Sequence, residues 1–204
     1  MVIQTYILGE LQTNCYLVFD KETKKGIVID PADEANFVGE KILTQNIELL
    51  AIVATHGHFD HILAAWELQL AFNVPFLINK MDEKIVKNMQ KSAKYWLGRE
   101  IIEKSPEKIT PLEKEVVFGC QTLKVIPCPG HTPGGISLYS EKQNILFSGD
   151  TLFAQGVGRT DFSYSNKKDL EKSVAKLTKL PESTIIYPGH GELGQLGKII
   201  KSLF

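Results

Sequence analysis

Apolar residues recur along this chain with two spacings, and the changes of spacing mark where strands give way to helices. "VIQTYIL" (2–8), "NCYLVFD" (14–20) and "GIVID" (26–30) are short runs rich in β-branched and aromatic residues, and they predict three strands. Pro31 ends the third. Over 33–46, Phe37, Val38, Ile42 and Leu43 fall at helical spacing. "LLAIVA" (49–54) is unbroken apolar sequence, the pattern of a strand buried on both faces. "ILAAWELQLAF" (62–72) predicts a helix that turns Leu63, Ala64, Trp66 and Leu70 to the core, and "PFLIN" (75–79) predicts a strand.

From 79 to 111 the pattern predicts one amphipathic helix and a connection. Lys80, Lys84, Lys87, Lys91 and Lys94 form a stripe, with Met81, Ile85, Met89 and Trp96 on the opposite side. The stripe reads as a solvated face, or as an attraction for an anionic substrate or partner. Trp96 and Tyr95 are placed to wall a groove, although core packing is the expectation. The second half has four further short strands, "EVVFG", "QTLKVIPC", "GISLYS" and "NILFSGD". A helix follows over 167–180 with Leu170, Val174, Leu177 and Leu180 on one face, then the strand "STIIYPG" and a closing helix over 193–204. Strand runs followed by helices, twice over, predict an α+β fold of two sheets packed face to face with helices outside. Nothing resembles a linker, so residues 1–204 are expected to form a single domain.

Composition removes several classes of function. At 204 residues with 43% hydrophobic and 23% charged residues, the chain is an ordinary globular sequence. A net charge of −1 offers no broad attraction to nucleic acid or an acidic membrane. No apolar stretch is long enough to span a bilayer, and the start lacks the basic and apolar regions of a signal peptide. Three cysteines, Cys15, Cys120 and Cys128, without disulfide-like spacing suit a reducing compartment, so the cytoplasm is expected. Oligomeric state is not legible.

The histidines change the picture. "THGHFDH" (55–61) holds His56, His58 and His61 with Asp60, immediately after an apolar strand. The other two, His131 and His190, each follow a Pro-Gly pair at the end of an apolar run, and Asp150 ends "NILFSGD". One such residue would be an ordinary turn or cap residue. Five histidines in one structural context, three of them crowded, require a common counter-charge, and a metal ion supplies it. Seven donors are too many for one tetrahedral ion, which points to two. His56 and His58 can point to one side of an extended turn, Asp60 and His61 face a neighbouring position, and the carboxylate of Asp150 can bridge. Two ions sharing a water lower its pKa and hold it as hydroxide. Cys128, three residues before His131, is either a soft ligand or a small buried strand residue.

The pattern H-x-H-x-D-H at 56–61, with His131, Asp150 and His190 at these separations, resembles the metallo-β-lactamase fold superfamily over essentially the whole chain. The resemblance implies a four-layer αββα sandwich with the site at one edge of the sheets. It implies one metal on His56, His58 and His131, a second on Asp60, His61 and His190, and Asp150 bridging. Zinc is the expected metal, with iron or manganese as alternatives. Asp150 stands where the best-known β-lactamases place a cysteine. "SGDTLFAQGVGRTD" and "IYPGHGE" are closest to the short, glyoxalase II-like thioester hydrolases, whose substrate is a small-molecule acyl thioester. Two features depart from full-length glyoxalase II. The chain lacks its C-terminal helical extension, and Arg159-Thr160-Asp161 replaces its glutathione-binding lysine and tyrosine. Arg159 either grips a substrate carboxylate or pairs with Asp161. The expected chemistry is attack of the bridging hydroxide on the acyl carbon, with Asp60 orienting the nucleophile. The alternative is a persulfide dioxygenase of the same fold with a single iron held by two histidines and an aspartate.

Overall fold

The computed structural model describes residues 1–203 and has the αββα architecture. Strands β1 (Val2–Leu8), β2 (Thr13–Phe19), β3 (Lys25–Ile29), β4 (Glu48–Val53), β5 (Phe76–Ile78) and β6 (Ile109–Pro111) form the first sheet in that order. β1 to β3 are antiparallel neighbours, and β3 to β6 run parallel. The second sheet is built from β7 (Glu115–Phe118), β8 (Gln121–Pro127), β9 (Ile136–Ser140) and β10 (Ile145–Gly149). After a small hairpin, β11 (Leu152–Phe153) with β12 (Gly156–Val157), it adds β13 (Ile185–Pro188) and β14 (Gly194–Gln195) on the far side of β10. Helices α1 (Ala35–Thr44), α2 (Ala65–Phe72), α3 (Glu83–Lys87), α4 (Met89–Leu97), α5 (Lys167–Leu177) and α6 (Leu196–Leu203) complete the fold.

Three apolar cores separate the four layers, and the alternation of side chains in the strands assigns residues to them. On β4, Ile52 joins the core under α1 to α4, while Ala51 and Val53 face the second sheet. On β10, Leu146 packs under α5 and α6, and Ile145 and Phe147 meet Tyr16, Ile29 and Phe118 between the sheets. That is why these strands read as unbroken apolar runs. Truncating the wholly buried Phe147 to Ala is worth about 3–5 kcal/mol.

The predicted elements are present, with four corrections. The helix expected over 80–96 is interrupted at Asn88, with φ −97° and ψ 10°, and becomes a 3-10 turn (Lys80–Asp82), α3 and α4. The break rotates the apolar face, so Val86, Met89 and Ala93 are buried while Met81 and Trp96 are 65% and 46% exposed. Tyr95 is also exposed, so core packing fails for both aromatics of that pair. In α2, Leu68 rather than Leu70 turns inward, and Trp66 is half-buried. The segment read as a connection carries β6, and the β11–β12 hairpin has too few residues to show a period. The last residue of the closing helix, Phe204, lies outside the described residues.

The C-terminal ends of β3, β4, β8, β10 and β13 meet along one rim, next to the start of β2. The register of β10 slips between Phe147 and Gly149, an irregularity that re-aims the residue after it. Gly149 sits at φ +51°, where glycine is favoured, and Asp150 follows. Among the described residues no helix is long and apolar enough to cross a membrane.

Candidate metal centre

Four loops on this rim bring all seven predicted donors together. After β4 the chain bends at Thr55–His56, is extended at His58 (φ −66°, ψ 145°), then winds into a 3-10 turn over Phe59–His61. The stretch before the turn sends His56 and His58 to one position. The turn swings Asp60 and His61 to the next. His131 comes from the loop after β8, and His190 forms an isolated bridge with Thr13 at the start of β2.

The donors form two triads. In the first, His58 Nδ1 lies 3.0 Å from His56 Nε2 and 3.0 Å from His131 Nε2. In the second, His61 Nε2 lies 3.3 Å from His190 Nε2, and Asp60 Oδ2 lies 3.6 Å and 3.3 Å from them. Asp150 stands between. Its Oδ1 is 3.5 Å from His61 Nε2, and its Oδ2 is 3.5 Å from His131 Nε2 and 3.7 Å from His190 Nε2. Gly189 makes this approach possible, since a Cβ there would collide with Asp150 Oδ1 and His61. Cys128 belongs to neither triad; it is buried in the core under α5 and α6 and accepts a hydrogen bond from Ser137 Oγ at 3.4 Å.

A divalent ion suits both triads. Three imidazole nitrogens 3.0 Å apart cannot all be satisfied by protons on one another, and Asp150 Oδ1 is buried with no hydrogen-bond partner among the described residues. The outward nitrogen of every histidine is held. His56 Nδ1 meets Thr55 Oγ1 (3.1 Å), His58 Nε2 meets Tyr164 Oη (2.7 Å), and His61 Nδ1 meets Asp30 Oδ2 (3.0 Å). His131 Nδ1 meets the Arg159 carbonyl (2.9 Å), and His190 Nδ1 meets the Leu11 carbonyl (3.1 Å). Such outer partners fix the tautomer that aims the other nitrogen inward.

Charge divides the triads. Burial, then the neighbouring imidazoles, push His58 down to about 3 and His56 well below its ordinary value. Burial acts the same way on His61, but Asp60, Asp150 and Asp30 outweigh it and hold His61 up at about 10. His190 is also raised, because Asp60 and Asp150 overcome its burial. Asp60 is held below the usual carboxylate range, since His61 and His190 outweigh its burial.

Three residues essential to this arrangement carry no sequence signal as ligands. Asp30, at the end of β3 with φ +50°, accepts from the Thr55 amide (2.6 Å), the Thr55 hydroxyl (2.7 Å) and His61. Only its place at the end of an apolar strand, like that of Asp150, hinted at it. Tyr164 reaches His58 across 106 residues, and burial pushes its phenol up to about 12. Asp82 is wholly buried beneath two of the ligand loops.

The triads open into a cleft of about 360 Å³. Trp96, Phe153, Val157, Phe162 and Tyr164 wall it, so the exposed Trp96 and the unpredicted hairpin belong to this face. Arg159 also lines the cleft. Its Nε and Nη2 are donated to Asp161 at 3.0 and 2.7 Å, and its guanidinium lies 5.4 Å from the Trp96 ring and 5.1 Å from Phe162. The ion pair anticipated for Arg159 is therefore present.

A four-layer sandwich with paired His/Asp triads along one rim defines a metal-centred protein of the two-sheet type. The chain belongs to the metallo-beta-lactamase superfamily, whose profile matches residues 8–190. It is 31% identical to the hydroxyacylglutathione hydrolase GloC of Haemophilus influenzae over 97% of this chain and 94% of that one. Among solved structures, the di-iron-bound form of TTHA1623 superimposes with a TM-score of 0.88 at 34% identity, covering 98% of each chain. The BLEG-1 B3 metallo-beta-lactamase also gives 0.88, at 32% identity over 98% of this chain and 97% of its own.

Proposed function

We propose that this chain is a two-metal hydrolase of small acyl thioesters. His56, His58 and His131 would hold one divalent ion and Asp60, His61 and His190 the other, with Asp150 placed between the two sets. The observation that carries the reading is Asp150, whose carboxylate lies within 3.5–3.7 Å of histidines from both triads while its buried Oδ1 has no hydrogen-bond partner among the described residues. Two ions bound there would polarise an acyl oxygen and acidify a shared water.

The chain's own residues do the rest. Asp60, whose Oδ2 accepts the Thr13 hydroxyl at 3.1 Å, orients the attacking water. The aromatic walls give the acyl group an apolar surface to lie against. Every histidine has both ring nitrogens committed, which leaves none to act as a general acid for the leaving group. A thiolate leaves without one, whereas an amine or alkoxide does not. The likeness to GloC supports the same substrate class. Because Arg159 is paired through Nε and Nη2 with Asp161, the carrier half of the substrate need not be glutathione.

The test is a substrate panel on protein whose metals have been counted, with S-lactoylglutathione, simpler acyl thioesters and a β-lactam. Thioester turnover with two ions per chain is expected. One iron per chain, with oxygen uptake and sulfite release from glutathione persulfide, would replace this reading with the dioxygenase.

A further inference from the structure

Asp82 ends the 3-10 turn over Lys80–Asp82 that precedes α3 and is wholly buried. No lysine or arginine forms an ion pair with it among the described residues. Its carboxylate accepts three side-chain or loop hydrogen bonds, all from elsewhere in the chain. Oδ2 takes the Gly57 amide at 2.9 Å and the Thr132 hydroxyl at 2.7 Å, and Oδ1 takes the Gly134 amide at 2.6 Å. Gly57 lies between His56 and His58, and Thr132 follows His131. One buried anion thus ties together the two segments that build the first triad, and it makes no hydrogen bond to the 3-10 turn that carries Asp60 and His61 or to the loop that carries His190.

We infer that Asp82 is a positioning residue for the first metal. It fixes the distance between the His56–His58 loop and the His131 loop without touching an ion or the substrate. This inference rests on the two-metal reading. Burying an anion is unfavourable, so a core site would ordinarily hold an apolar residue. A carboxylate suits this one because all three incoming groups are donors and it presents acceptors alone. An Asn side chain would turn an NH2 against an N–H or O–H, so Asp82→Asn breaks the tie although it preserves the shape. Thr132→Val removes one donor of the three and is the milder change.

The test is native mass spectrometry with zinc titration of the full chain. Wild type should carry two zinc ions. Asp82→Asn should weaken one site about 10- to 100-fold and leave the other unchanged, with Thr132→Val shifted in the same direction by less. His190→Ala should lose the other ion, so the double variant Asp82→Asn/His190→Ala should bind its remaining ion about 10- to 100-fold more weakly than His190→Ala does. Asp82→Asn with two ions at wild-type affinity would overturn the inference. So would a double variant that keeps its one ion at the affinity of His190→Ala. Should Asp82→Asn fail to fold, Thr132→Val decides: an unshifted first site refutes the tie. Wild type that binds two zinc ions but cleaves no thioester would sink the proposed activity alone, because the ion counts still judge Asp82. Wild type that binds no zinc overturns both.

Discussion

The two triads each draw two ligands from the same heptapeptide, residues 55–61, yet sit in contrasting electrostatic surroundings. In the first triad, burial and the neighbouring imidazoles keep protons away from His56 and His58. Asp60, His61 and His190 form an anionic nest, where Asp30, Asp60 and Asp150 keep His61 charged. The first is therefore ready to receive a cation, while the second holds a proton in its place and must release it when an ion binds. Backbone shape makes the division. Extended chain at His58 gives one set of directions, and the 3-10 turn from Phe59 gives another.

The strongest way to break the comparison is to remove the residue the triads share. Asp150→Ala should reduce thioester turnover by at least about 10³-fold and leave fewer than two ions per chain by elemental analysis; near-normal turnover with two ions would refute the bridging role. Next is Asp30→Asn, which replaces the carboxylate behind His61 by an amide. The second ion should bind about 10- to 100-fold more weakly, read by competitive chelation, with the first, which Asp30 reaches only through Thr55, weakened less. Equal loss from both sites would mean that the triads are not independent.

Removing the metals should expose the difference as a pH profile. His56 and His58 have depressed folded values, so their contribution is full above the unfolded value of 6.5 and is lost as pH falls, for His58 towards about 3. His61 is raised, so its contribution is full below 6.5 and is lost as pH climbs towards about 10. Urea unfolding of chelator-treated protein should thus show greatest stability near pH 6.5, declining on both sides. A profile that declines on one side alone would show which triad has been misread. The smallest effect should come from Tyr164→Phe, which removes a neutral partner of His58. A loss of about 1 kcal/mol in first-site zinc binding is expected, well below that of Asp30→Asn, whose partner is charged. Equal effects from the two variants would erase the distinction drawn between the triads.

Legibility in the sequence followed the range of the interactions. The sandwich was readable because strands buried on both faces leave unbroken apolar runs such as 49–54. The seven donors were readable because histidine and aspartate at strand ends are chemically conspicuous. Asp30, Asp82 and Tyr164 were not, because a lone acid or tyrosine gains its meaning from a partner 25 to 106 residues away. The break at Asn88 was hidden for a related reason. The lysines continue at helical spacing through it, and only packing of Val86, Met89 and Ala93 against the first sheet sets which way the helix faces.

The sequence by itself determined the αββα layering and the type of chemistry its donors can support, because side-chain periodicity and ligand identity are local properties. The tertiary structure alone decided how the donors group into two triads with Asp150 between them. It also decided which buried partners hold them and that Trp96 joins the cleft wall rather than the core. Those outcomes depend on distances between segments far apart in the chain, and distance is what a linear pattern does not contain.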